Sequence, residues 1–426
     1  MSGGVVAVPD TRLVQWWRWL RNPAFWMKAA DVFAVLSALV LPWSTSLLGI
    51  FAACWIGAAA LIVDYRAYFQ SLKQPICALP LALFALAAVG MLWSDASWSE
   101  RLYAVGPTVK LLFLPGLFHY FERSSRGMWV FAAFAISCAL LMCLSWIVWF
   151  APEFKVTATL SAGIPVKNYI DQTQEFVLCT FALTPLSLSL LHQRRFALAT
   201  LCAAVILGFV ANMVFVAFAR TALVYVPAML ALLAARYLSW RATVVLFCAA
   251  AMTAASMWWI SPYLRSRIEL IPEEYHSYMR DNAVTSTGQR LEFWRKSLRF
   301  FASSPLYGNG TGSTRRLFEQ DAVGQSGVSA EVIGNPHNQA LNVAVQWGLI
   351  GCFVLFAMWF YHLMMFRGPT FVSWIGLLVV TQNVVSSLVN SHLFDFHEGW
   401  MYVLGVGVAG GMVLKMAGQA SNEMVK

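Results

Sequence analysis

Charged side chains are scarce in this sequence: Asp, Glu, Lys and Arg make up 12% of 426 residues, against 59% hydrophobic. With a mean hydropathy of +0.64, that balance excludes an ordinary soluble globular domain. Cysteine is missing where a disulfide would need it. All eight cysteines lie in apolar runs, and the polar stretch from Ser261 to Ala340 has none, which argues against disulfides and cysteine metal sites. Phosphate-loop and dinucleotide fingerprints are absent, and the polar stretch holds no Asp-x-Asp motif and no His/carboxylate cluster at metal-ligand spacing. No metal and no cofactor is therefore expected. A cleavable signal peptide is not visible either. Trp16, Trp17, Trp19 and Trp26 alternate with Arg12, Arg18, Arg21 and Lys28, which reads as a basic aromatic helix on the inner membrane face.

What the chain does have is long apolar runs. Crossing about 30 Å of hydrocarbon takes about 20 apolar residues. About twelve runs qualify: 30–44, 46–63, 76–93, 102–120, 127–150, 170–191, 196–215, 220–238, 242–260, 341–365, 370–388 and 399–416. The expected fold is an all-α polytopic membrane protein. It divides into a cytoplasmic amphipathic segment 1–28, spans 1–9 in 29–260, an outer segment 261–340, spans 10–12 in 341–416 and a cytoplasmic tail 417–426. More than half of the 29 basic residues fall on the side shared with the termini, whereas the spans and short outer loops hold only Arg101, Lys110, Lys155, Lys167 and Arg220. Both termini are thus expected inside and 261–340 outside. The net charge of +9 then reports contact with membrane lipids rather than nucleic acid.

In the outer segment, Leu291, Trp294, Leu298 and Phe301 recur at helical spacing between Thr287 and Phe301, giving an amphipathic helix against the membrane or the bundle. Gly308-Asn309-Gly310-Thr311-Gly312 is either a plain turn or a place where backbone approaches a ligand. Residues 313–334 read as a flexible loop and a candidate lid. Asn335-Pro336-His337-Asn338 reads as a helix start with His337 on its first turn, where the positive helix end favours an anion and a neutral imidazole, so His337 is a candidate general base. Arg220 interrupts an apolar stretch, where an ionisable group is a functional candidate by default or a snorkelling anchor; of Arg265, Arg267 and Arg290, which follow, Arg290 suits a functional role and a headgroup contact equally, and the other two better suit headgroup contact or exposed charge. Lys110 is open to a functional or a structural reading. Asp171, Gln172, Gln174 and Glu175 read as a solvated helix start or a sugar-binding row. The loop from His392 to Glu398 is a minor candidate for a divalent ion.

Many spans, a long late outer segment, Arg220-Thr221-Ala222, Arg290-x-x-x-Trp294, Pro305-x-x-Gly308-x-Gly310 and Asn335-Pro336-His337-Asn338-x-x-Leu341 together resemble the O-antigen ligase family. The resemblance implies a glycosyltransferase in the bacterial inner membrane, with its active site on the periplasmic face. It would carry O-antigen from undecaprenyl diphosphate to a sugar hydroxyl of lipid A–core. It further implies His337 as the catalytic base, Arg220, Arg290 and Arg265 on the donor diphosphate, and Asn335, Asn338, Gly308 and Gly310 in support, with metal-independent inversion. An O-antigen polymerase or a protein O-oligosaccharyltransferase would share this chemistry and differ in acceptor. A lipid-linked glycan transporter is the alternative of another class.

Overall fold

A computed structural model describes residues 22–158 and 161–424, and all regular structure among them is helical. The expected basic aromatic segment lies mostly outside these residues. Its described end, from Asn22, already belongs to the first helix, because the Asn22 side chain caps Ala24 N–H at 3.0 Å and Pro23 fits the first helical position.

The first two helices are α1 (Pro23–Val40) and α2 (Thr45–Ala60), and α3 (Tyr65–Ser71) breaks from α2 at a bend of 117°. Next come α4 (Pro75–Val89), then α5 (Trp98–Val109) and α6 (Phe113–Phe121), joined by one tight turn at Lys110–Leu112. They are followed by α7 (Gly127–Phe150), α8 (Tyr169–His192), α9 (Phe196–Phe215), α10 (Ala222–Tyr237) and α11 (Trp240–Ile260). The polar segment folds as α12 (Pro262–Asp281), α13 (Ser286–Ser303) and α14 (Ser313–Ala322). The chain closes with α15 (Gln339–Met365), α16 (Phe371–Ser386) and α17 (Phe396–Met424).

Every expected apolar run falls on a helix or a joined pair. Among the described residues, nine helices are long and apolar enough to cross a membrane, or ten if the bent α2–α3 pair counts as one span. The expectation of about twelve included α10 and α16, which are apolar but only 16 residues each. The core centres on α17, buried on all sides from Trp400 to Gly411, as befits a helix apolar all round. α6 lies close against it: a Cβ on Gly407 would sit 2.6 Å from Leu117 and one on Gly411 2.6 Å from Phe121, so small residues set the helix separation.

The outer segment departs from expectation in two places. The helix around Thr287–Phe301 is present, but its buried stripe is Phe293, Lys296, Ser297 and Phe300, whereas Leu298 is 55% exposed. Phe293 and Phe300 pack edge-on to Phe318 of α14, and Asp321 pairs at 2.8 Å with Lys296, which is what lets a lysine enter that stripe. Residues 313–322, expected as loop, are therefore helical: buried Phe318 anchors them, and an Arg315–Glu319 pair at 3.0 Å supports their exposed face.

Candidate functional site

The Asn335–Asn338 motif is a turn in front of a helix. Asn338 is the cap of α15, its Oδ1 accepting Leu341 N–H at 3.0 Å, and the helix starts at Gln339. His337 therefore precedes the first turn, contrary to expectation. Two side-chain caps decide this, since Asn335 Oδ1 accepts the His337 N–H at 3.0 Å, closing an Asx turn before the helix can begin. His337 takes a left-handed φ of 54°, a conformation that costs a side-chain-bearing residue and persists only where neighbours enforce it.

Those neighbours come from two directions. From α13, Phe293 stacks on the imidazole at a centroid distance of 6.3 Å, and Trp294 Nε1 donates to the His337 carbonyl at 3.4 Å. From the loop between α16 and α17, Ser391 Oγ donates to Asn335 Oδ1 at 2.6 Å, and Asn338 Nδ2 donates to Leu388 O at 2.8 Å. The same loop supplies Asn390, whose Oδ1 accepts His337 Nδ1–H at 2.8 Å. Ser391 N–H also donates to that Oδ1 at 3.0 Å, which fixes the amide orientation. Nδ1 of His337 is thereby protonated and held, leaving Nε2 as the basic nitrogen. Behind Asn390, its Nδ2 donates to His392 Nε2 at 3.0 Å, and burial pushes that imidazole down to about 3, so His392 is a neutral acceptor. Burial also holds the His337 imidazole below its ordinary value, opposed by the Asn390 bond and reinforced by the Arg290 charge.

The arginines fall into three situations. Arg220 forms a bidentate pair with Glu274 of α12, at 2.7 and 2.9 Å, and Glu274 also accepts from Thr287 N–H at 3.0 Å. Burial alone would raise the Glu274 carboxyl, but the bonds from Arg220 and Thr287 outweigh it and hold it low. Arg290 is half-buried, and among the described residues its side chain has no hydrogen bond or ion pair; burial, with the Arg220 charge, lowers its pKa. Arg267 lies 5.0 Å over the Tyr169 ring with its Nε buried and unpartnered. Arg220 and Arg290 are each within electrostatic reach of the same Tyr169, so Arg220, Arg267 and Arg290 share one neighbourhood. Arg265 does not join them. On α12 it lies about 200° around the axis from Arg267, which shares a face with Glu274 two turns on.

Gly308 and Gly310 serve structure. Gly348 breaks α15 with φ 61° and ψ −153°, a conformation open only to glycine. The carbonyls of Val345 and Gln346, which an unbroken helix would give to Leu349 and Ile350, accept instead from Asn309 and Gly310 N–H, both at 2.9 Å. Leu349 and Ile350 N–H donate in turn to Pro305 and Leu306 carbonyls, at 2.8 and 3.2 Å. The turn completes the broken helix, and its amides are spent there rather than on a ligand. Lys110 is likewise engaged, donating to the carbonyls of Phe394 (3.1 Å) and Asp395 at the start of α17.

The row Asp171, Gln172, Gln174, Glu175 is buried, not solvated. Asp171 pairs with His397 at 2.9 Å, Gln172 bonds Ser145 and Asn212, and Gln174 reaches His392. With His397 so engaged, no group of three or more His, Cys, Asp or Glu among the described residues is arranged to hold a metal ion, at the loop 392–398 or elsewhere. Asn390 and Ser391 were not anticipated from sequence, and Arg267 reads there chiefly as a headgroup contact or exposed charge. A signal for the first two did exist, the polar triplet Asn390-Ser391-His392 at the outer end between two apolar runs.

Residues 203–356 match the protein-family model described as O-Antigen ligase. The matched stretch runs from α9 into α15 and contains Arg220, Arg265, Arg267, Arg290 and the His337 motif; Asn390 lies beyond it. No curated protein sequence matches the chain.

Proposed function

We propose that this protein is an O-antigen ligase of the bacterial inner membrane, moving O-antigen from undecaprenyl diphosphate to a hydroxyl of lipid A–core at the periplasmic face. One observation carries the reading: an imidazole with its Nδ1–H fixed by Asn390 and its Nε2 left basic stands beside Arg290, a half-buried cation without a partner among the described residues. An oriented base and an unneutralised arginine are what a transfer with an anionic leaving group needs.

The acceptor oxygen attacks the anomeric carbon as its proton passes to His337 Nε2. The bond from that carbon to the diphosphate oxygen breaks on the opposite face, and the electron pair leaves with undecaprenyl diphosphate. One displacement inverts the anomeric configuration. Arg290, Arg220 and Arg267 meet the developing negative charge, and guanidinium forks suit phosphate oxygens. A diphosphate reaching Arg220 competes with Glu274 for its fork. The step needs no metal, since arginines supply the charge.

Purified protein given lipid-linked O-antigen should transfer it to lipid A–core, with equal rates in excess EDTA. Product formed only with a second lipid-linked glycan would make the protein a polymerase, and product formed only on a Ser/Thr peptide would make it an oligosaccharyltransferase. Activity abolished by EDTA and restored by Mg²⁺ or Mn²⁺ would overturn the metal-independent step.

A further inference from the structure

A groove of about 1230 Å³ runs between α5 and the start of α17 and reaches the His337 motif at Asn335. It exceeds the roughly 300–1000 Å³ of a small-molecule pocket and has room for several linked sugars. None of Arg220, Arg267, Arg290 and Tyr169 lines it.

Its charge separates it from the arginine side. Glu100, Glu319 and Asp395 line it, and both of its cations are engaged: Arg315 pairs with Glu319 at 3.0 Å and lies 3.9 Å from Glu100, and Lys110 is held by the carbonyls of Phe394 and Asp395. A diphosphate entering here would meet three carboxylates and a single exposed arginine, Arg315, already shared between Glu100 and Glu319, which is unfavourable beside the arginine-rich side. A neutral, hydroxyl-rich ligand meets the opposite situation. Carboxylates accept hydroxyl hydrogens, and Tyr103, 84% exposed, offers an aromatic face to the C–H side of a sugar ring. At the motif end, Asn335 Oδ1 is committed to His337 N–H and Ser391 Oγ, while its Nδ2 has no partner among the described residues and is free to donate to a sugar oxygen.

We propose that this groove is the acceptor-glycan site, binding the neutral sugars of the acceptor and delivering a hydroxyl past Asn335 to His337, while the diphosphate donor occupies the arginine side. The proposal rests on the transferase reading above and deepens it.

The test blocks the groove without touching either the base or the arginines. A Cβ at Gly106 would meet nothing within 4 Å, so Gly106→Trp projects into open groove, and Tyr103→Ala removes an exposed ring. Two binding affinities are measured without turnover, for deacylated lipid A–core oligosaccharide and for undecaprenyl diphosphate. We expect both variants to weaken oligosaccharide binding by about tenfold or more and to leave undecaprenyl diphosphate affinity within about twofold, with acceptor KM rising to match. Unchanged oligosaccharide affinity in both variants overturns the proposal. So does a parallel loss of undecaprenyl diphosphate affinity, which would make the groove part of the donor site. If wild-type protein ignores lipid A–core but transfers to a second lipid-linked glycan, and Gly106→Trp blocks that transfer, the groove assignment stands and the ligase reading falls.

Discussion

His337 Nδ1 and Asn390 Oδ1 stand 2.8 Å apart, 53 residues apart in sequence, and this bond decides which nitrogen of the imidazole is basic. Asn390→Ala should free the tautomer and lower kcat by about an order of magnitude or more, short of the roughly 10²–10⁴-fold expected for His337→Ala. Donor affinity should hold in both. An Asn390→Ala enzyme with wild-type kcat would remove the positioning role.

The pH profile carries a sign. Buried beside Arg290, His337 has a pKa below its ordinary 6.5, so a base in this place stays deprotonated at neutral pH and kcat should fall only as pH drops through that lowered value. Asn390→Asp puts a carboxylate on Nδ1, favours the imidazolium, and should move the acid limb upward by about one unit or more. A limb that stays put in Asn390→Asp would mean that another group titrates.

Arg290 and Arg220 should behave oppositely in stability while both weaken the donor site. Arg290 is a half-buried cation without a partner among the described residues, so Arg290→Gln relieves desolvation and should leave Tm unchanged or higher while sharply weakening undecaprenyl diphosphate binding; Arg290→Lys, which loses the fork, should also bind poorly. Arg220→Ala strands Glu274, whose side chain is only 14% exposed, and should cost about 1–3 kcal/mol by thermal unfolding. Equal Tm shifts in the two alanine or glutamine variants would contradict this division.

Lys296 offers a test of the outer segment alone. Its side chain is fully buried and pairs with Asp321, so Asp321→Ala, which strands the buried cation, should destabilise by about 3 kcal/mol, while Lys296→Met, which leaves Asp321 its second partner Arg299 at 2.5 Å, should cost much less. A melting curve for each distinguishes a buried pair kept for stability from one merely tolerated.

Topology is tested by labelling. Gln320→Cys, at an exposed site on α14, should react with a membrane-impermeant thiol reagent in spheroplasts, and a reporter fused after Lys426 should be active only in its cytoplasmic form. Protection of that cysteine would reverse the orientation taken from the basic loops.

The apolar runs were legible because hydrocarbon imposes one composition on anything that crosses it, but their ends and number were less so: α1 begins at Pro23 rather than at 30, α17 runs to Met424 rather than 416, and nine or ten helices among the described residues are long and apolar enough to span. His337 and Arg220 stood out in the sequence as candidates, the first by its motif and the second as an ionisable group within an apolar stretch. The exact start of α15 was not legible, because two asparagines compete for the cap and only the bonds from Asn335 and Asn338 show which closes the turn and which starts the helix. Nor was the buried stripe of α13. Lys296 masks it, since a lysine on an apolar face looks like a solvated position until its acidic partner on α14 is known. Asn390 escaped because its partner lies far away in sequence, and no local spacing encodes that approach.

The break at Gly348 is stapled on both sides. The turn at Pro305–Gly310 donates to the Val345 and Gln346 carbonyls before the break and accepts from Leu349 and Ile350 N–H after it, so the two halves of α15 and the turn are bonded into one piece. A change of membrane thickness that tilts this span should therefore carry the turn and the histidine with it rather than being absorbed at the glycine. The height of the base over the membrane surface is then coupled to the lipid in which both substrates are anchored.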